Sequence, residues 1–254
     1  MVGQHYTKLI AEWYDDWLKD LTRDRDYYSE FFRNFDGQVL ELACGTGRLL
    51  IPIAESDVTI HGLDSSQDML DILERKATKL KSKGIELHNQ IMEDFSLPTK
   101  YDAIFVAGGS FQLLTSSENA LNSLMCVLDH LSDNGFLLAD IFIPWDSIIV
   151  QKRNDYHVTR DVVRPDGKRS IVLERFEIDI PKQVKRGTYR YEFYDQEQLT
   201  DCITDDLSIR WYWKDEFLSL LTKAGFSKID VLTKSPLYAD GYSFVFQAFK
   251  CDSH

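Results

Sequence analysis

The stretch 39–49, VLELACGTGRL, holds the residues best suited to act on a ligand. Its apolar start reads as a buried strand, Gly45-Thr46-Gly47 as a tight turn, and residues 49–54 as a helix. Glycines let the backbone approach a ligand closely, and a helix N-terminus offers unpaired N–H groups. Glu41 stands on the strand before the turn. A carboxylate there repels a pyrophosphate and suits a cationic ligand. Asp64 closes the next apolar run, 17 residues after Gly47. An acid at that point hydrogen-bonds a ribose diol. The two strand ends would meet at a crevice, where α/β sheets bind ligands.

The elements that must hold these groups show a steady rhythm. Apolar runs at 39–43, 58–63, 85–88, 101–107 and 136–143 read as strands, the last entered through an Asn134-Gly135 turn. Helical stretches follow at 66–83 and 118–131. Alternation of this kind implies right-handed crossovers and a mostly parallel sheet. Residues 5–35 read as helical, with Leu9, Ile10, Trp13, Tyr14 and Trp17 at offsets of three and four, and Asp24 as a cap for a second helix. After Pro144 the texture changes to period two, with a Pro-Asp-Gly turn, over residues 155–213. That predicts an antiparallel β-meander with one wet face, on which Arg160, Arg164, Arg169, Arg175 and Arg190 would lie. A helix near 215–224 and strands at 227–232 and 242–249 close the chain. The division expected is a helical cap at 1–36, an α/β core at 37–145 and 214–254, and a β insertion at 146–213.

Composition narrows the field. The chain has 254 residues, 29 Lys+Arg against 41 Asp+Glu, and a net charge of −12. That balance argues against nucleic acid or an anionic membrane surface as partner, because both are bound through Lys and Arg. No run is long enough for a membrane span, no secretory leader is evident, and a cytoplasmic location is expected. Cys44, Cys126, Cys202 and Cys251 form no CxxC pair, so no metal site is expected. His61, His88 and His130 read as structural.

VLELACGTGRL resembles the first motif of the class I S-adenosylmethionine-dependent methyltransferases. HGLDSSQDML resembles their second motif, and MEDFSLPTKYDAIFV their third and fourth. The likeness covers residues 37–143 in order. It implies a Rossmann-like class I methyltransferase sheet, α/β in class, with N-terminal helices and an inserted antiparallel β-meander. The layout is similar to the sugar-amine N,N-dimethyltransferases of antibiotic pathways.

The resemblance implies S-adenosylmethionine as cofactor, with adenosylhomocysteine as product, and a small-molecule acceptor carrying an N or O nucleophile. Glu41, Ala43, Cys44, Gly45, Thr46 and Gly47 would surround the methionine part, with Cys44 a small filler. Arg48 or Tyr14 would reach its carboxylate. Asp64 would hold the ribose, with Ser65 and Met69 beside the adenosine. Glu93, Asp94 and Phe95 would meet the adenine, and Ala107 would lie under the methyl group. Ser110, Phe111 and Gln112 would face the acceptor, Trp145 would wall the pocket or staple the insertion, and His157 would approach the acceptor from the insertion. No general base is assigned. The insertion would shape the pocket or a homodimer contact.

Three rival readings stand beside this one. A dinucleotide dehydrogenase would need a third glycine where Leu50 stands. A nucleic-acid methyltransferase would show an Asn/Asp-Pro-Pro-aromatic run or a Pro-Cys pair, and the chain has AGGSFQ instead. A module that binds the cofactor without turnover would carry the same glycines and acids.

Overall fold

The apolar runs become the middle of a twisted sheet because strands flanked by helices on both faces are buried on both faces. A computed structural model describes residue 6 and residues 8–78, 85–232 and 241–250. The chain opens with α1 (Lys8–Trp17) and α2 (Arg23–Phe31), then alternates β1 (Gln38–Leu42), α3 (Leu50–Ala54), β2 (Thr59–Asp64), α4 (Gln67–Ala77), β3 (Glu86–Asn89) and β4 (Tyr101–Val106). A short 3-10 turn at Ser110–Leu113 leads to α5 (Ser117–His130), β5 (Leu131–Phe142) and α6 (Trp145–Val150). Four long strands follow: β6 (Lys152–Val163), β7 (Lys168–Asp179), β8 (Val184–Asp195) and β9 (Gln198–Arg210). Helix α7 (Lys214–Ala224) and strands β10 (Phe226–Val231) and β11 (Ser243–Lys250) complete the described chain.

The first sheet has the order β10-β11-β5-β4-β1-β2-β3. Strands β1 to β5 pair in parallel, and β10 and β11 join antiparallel. Leu40, Leu42, Ile104 and Val106 face the α5 and α7 side, while Val39, Ala103 and Phe105 pack on α2 and α3. The second sheet, β6-β7-β8-β9, is an antiparallel meander. One face covers α1 through Ile10, Trp13, Val172, Tyr191 and Phe193. The other is wet and carries ion pairs such as Arg169–Asp161 and Arg190–Glu192.

Several expectations shift. Asn134 and Gly135 do not precede β5 but lie inside it, at a bulge where the register against β4 jumps from Leu131 to Phe136. A Cβ on Gly135 would come 2.8 Å from the Tyr101 carbonyl oxygen, so only glycine lets the two backbones approach there. Asp24 does not cap α2; Thr22 holds that position, and the Asp24 carboxylate turns to Arg48. Arg164 leaves the wet face: its guanidinium lies 3.7 Å from the Trp13 ring centre and pairs with Asp16 at 2.5 Å. The expected helix from 66 is described to Ala77, and residues 79–83 lie outside the described residues, as do His5, Cys251 and His254. Among the described residues no helix is long and apolar enough to cross a membrane.

Candidate active site

The turn after β1 is built from left-handed backbone. Ala43 has φ 55°, Gly45 φ 54° and Gly47 φ 80°. Around Gly45 the space is open, whereas a Cβ on Gly47 would stand 2.2 Å from Leu73 Cδ1 of α4. One glycine therefore presents bare backbone and the other lets the turn sit down on α4. Thr46 is buried and donates to Asp15 Oδ1 at 2.6 Å, while Lys76 of α4 reaches Asp15 Oδ2 at 2.5 Å. Helix α1 is thus hung over the turn. Cys44 is buried, and burial pushes its thiol pKa well up, which fits the filler role and removes a thiolate nucleophile at neutral pH.

Glu41 is 3% exposed. It has a backbone hydrogen bond from Leu50, yet its Oε2 has no partner. Burial drives its pKa well up, opposed chiefly by the Arg48 charge. An orphaned, buried carboxylate oxygen beside a bare glycine turn is what a bound ammonium would satisfy. Arg48 itself does not reach into the cavity. It donates to the Leu21 carbonyl at 3.1 Å and forks onto both oxygens of Asp24, so its guanidinium is spent on fixing α2.

Asp64, at the end of β2, accepts Gly45 N–H on Oδ2 and Ser66 N–H on Oδ1, each at 2.8 Å. Burial raises its pKa, and these backbone donors pull it back. Each oxygen keeps a lone pair for a ligand. Ser66 caps α4 by accepting from Met69 N–H at 3.3 Å. Asn89 of β3 donates to the Asp64 carbonyl at 3.0 Å and brings the segment after β3 to the same rim.

Gly45, Asp64 and Ser66 border a cavity of about 410 Å³, within the range of small-ligand sites, whereas Glu41, Cys44, Thr46, Gly47 and Arg48 lie behind its lining. Of the residues singled out in the sequence, Tyr14, Ala43, Gly45, Asp64, Ser65, Met69, Glu93 and Ser110 line it. Others do not. Asp94 is exposed and Phe95 is buried against the His130 ring at 4.4 Å, which leaves Glu93 as the acid of that pair on the cavity. Ala107 is buried in the core beneath the turn that follows β4. Phe111 packs on Phe217 at 5.3 Å. Gln112 is fully buried: its amide nitrogen donates to the carbonyls of Phe142 and Arg210, and its oxygen accepts Phe142 N–H. It ties the ends of β5 and β9 together and does not face an acceptor. Trp145 pairs with Trp213 at 5.6 Å and donates to the Gly241 carbonyl, so it staples and does not wall. His157 sits 3.7 Å from Glu174, whose other bonds go to Tyr189 and Lys185; this network stays inside the meander.

The sequence reading missed two groups of residues. Asp206, Leu207 and Ser208 of β9 line the cavity, and so do Thr115 and Asn119, the latter donating to Glu93 Oε1 at 3.4 Å. The second is Asp140, 1% exposed within β5. It accepts from Tyr28 Oη at 2.7 Å and from the Gly108 and Gly109 N–H groups at 3.0 and 2.8 Å. It shapes the left-handed Gly108-Gly109 turn that presents Ser110. A lone acid inside the apolar run FLLADIF was the available signal.

Residues 39–135 match the methyltransferase domain family. The chain is 30% identical over 149 residues to dTDP-3-amino-3,6-dideoxy-alpha-D-glucopyranose N,N-dimethyltransferase of Streptomyces fradiae, a match spanning 55% of this chain and 54% of that one. The fold is similar to an S-adenosylmethionine-dependent methyltransferase of Clostridium acetobutylicum, with TM-score 0.75, 18% identity, and coverage of 95% of this chain and 98% of the other. It is also similar to the sugar N-methyltransferase KedS8 of Streptoalloteichus, with TM-score 0.74, 22% identity, and coverage of 94% and 91%. Sheet order, glycine turn and strand-end acid form a Rossmann-like methyltransferase fold, and residues 39–135 within it match the methyltransferase domain family.

Proposed function

We propose that the protein methylates an amine nitrogen on a small polar acceptor, using S-adenosylmethionine. The observation that carries this is the part of the cavity's lining left beside the cofactor groups: Asp206 supplies a carboxylate, and Ser110, Thr115 and Ser208 supply neutral polar groups. Such a wall attracts an ammonium-bearing acceptor and orients its hydroxyls. The bound cofactor supplies an activated methyl group on a cationic sulfur. Glu41 would meet the methionine ammonium, Gly45 would bring bare backbone against the ligand, Asp64 would hold the ribose, and Met69 and Glu93 would flank the adenine.

The residues then have one principal task, alignment. The amine must lose its proton before it attacks, and alignment of the lone pair with the transferred methyl is where such a site gains most of its rate. Asp206 on β9, the lining carboxylate not assigned to the cofactor, is the group that would take that proton. Closing α1 and Tyr14 over the cavity keeps water from the reacting atoms. The same acidity disfavours a phosphate backbone as acceptor. The exposed strand β6 at the meander's edge offers a pairing surface to a second copy, and light scattering that finds only a monomer removes that contact.

The test is a turnover assay for adenosylhomocysteine across a panel of amino sugars, hydroxy acids and phenols. Release with amines alone supports the reading. Turnover restricted to hydroxyl acceptors overturns the amine, and calorimetric binding of S-adenosylmethionine without turnover on any of them supports the non-catalytic alternative.

A further inference from the structure

His61, Glu86 and His88 lie at the outer side of the first sheet, on β2 and β3, with no part in the cavity. The two strands pair in parallel with His61 opposite Glu86, and His88 follows two residues on. Side chains alternate across a strand, so all three leave the sheet on one face. His61 Nδ1 lies 3.8 Å from Glu86 Oε2, and His88 Nε2 lies 3.8 Å from Glu86 Oε1. One nitrogen or oxygen from each falls within 4.8 Å of the other two. In a tetrahedral zinc site with bonds of about 2.0–2.1 Å, ligand atoms stand about 3.3–3.5 Å apart. The cluster is only slightly wider than that.

A second observation points the same way. His88 Nε2 is buried and has no hydrogen-bond partner, a costly condition that a bond to a metal would relieve. The far nitrogen of His61, Nε2, lies 3.0 Å from Gln38 Nε2, so ligation through Nδ1 requires the Gln38 amide to turn its oxygen toward that nitrogen and accept its N–H. The Glu86 side chain is 59% exposed and leaves a way in from solvent.

We infer that His61, Glu86 and His88 bind one zinc-like divalent ion, clamping the edge strand β3 to β2. On binding, the Tyr101 hydroxyl, 3.0 Å from His61 Nδ1, gives up that nitrogen to the ion. Two imidazoles and a carboxylate are the donor set that zinc takes, with water free to fill a fourth position. The clamp is independent of the methyl-transfer reading.

The experiment titrates zinc chloride into the full-length protein after chelator treatment, by calorimetry, and follows thermal unfolding in parallel. Wild type is expected to bind one equivalent with micromolar or tighter affinity and to gain in Tm. His88→Ala and, separately, Glu86→Gln are expected to weaken zinc at least tenfold and to remove the gain in Tm. Both variants are expected to keep cofactor affinity within twofold in the absence of zinc, which shows that they fold. Lack of saturable binding by wild type, or zinc affinity unchanged in both variants, overturns the site.

Discussion

The two sides of the cavity are held in different ways. On the proposed cofactor side, the buried Asp64 carboxylate grips the Gly45 and Ser66 amides, and Asp140 fixes the Gly108-Gly109 turn that borders it in the same way. Backbone fixed by buried charge-assisted bonds has little room to move. On the acceptor side, β9 contributes Asp206, Leu207 and Ser208 from the edge of a separate sheet. That sheet is seated through aromatic packing on α1 and partly exposed ion pairs such as Arg164–Asp16. The first arrangement suits one unvarying ligand. The second can accept substitutions without disturbing the first.

Substitutions can break this contrast. Asp140→Ala leaves the buried Gly109 amide and the Tyr28 hydroxyl without a partner, and exposes the Gly108 amide to solvent, and should cost about 2–4 kcal/mol, at 1–3 for each orphaned group and short of full additivity. Denaturant unfolding reads it, and a loss under 1 kcal/mol would mean the Gly108-Gly109 turn holds its own shape. Gly47→Ala combines left-handed strain with the Leu73 contact and should cost about 2–4 kcal/mol in the same assay. Asp64→Ala should weaken S-adenosylmethionine binding by about 1.5–3 kcal/mol, and wild-type affinity in that variant would move the ribose elsewhere.

Arg164→Ala sharpens the comparison from the other side. It removes the Asp16 pair and the stack on Trp13, so about 1 kcal/mol of stability should go, with a rise in acceptor KM and cofactor affinity kept within twofold. If cofactor affinity falls while acceptor KM holds, the two halves are not separable as described.

The smallest effect is a pH dependence. Burial raises the Glu41 pKa, so its contribution to stability is fully present below the ordinary carboxylate value and is lost as pH rises through the raised one. A cationic cofactor needs the charged form, so its binding should strengthen as pH rises through that same titration and release a proton. Calorimetry in buffers of different ionisation enthalpy measures the release, and Glu41→Gln should abolish it.

The central sheet was legible because apolar runs and turn glycines carry strong local signals: β1, β2 and β4 emerge within a residue or so of the expected bounds. The meander was legible from its period-two alternation. The acceptor wall was not. Phe111 and Gln112 follow β4 where a pocket residue would stand, yet the 3-10 turn rolls both inward and leaves Ser110 and Leu113 on the cavity. Asp206 lies far along the chain from the glycine turn and reaches the cavity through a strand register that pattern alone does not fix. Arg48 was ambiguous because its partner, Asp24, already had a sufficient local explanation as a helix cap.

Asp15 and Asp16 are neighbours in α1, yet one holds Thr46 and Lys76 and the other holds Arg164. A single rigid helix is thereby yoked to both walls through adjacent residues. Any tilt of α1 would loosen both hitches in one motion.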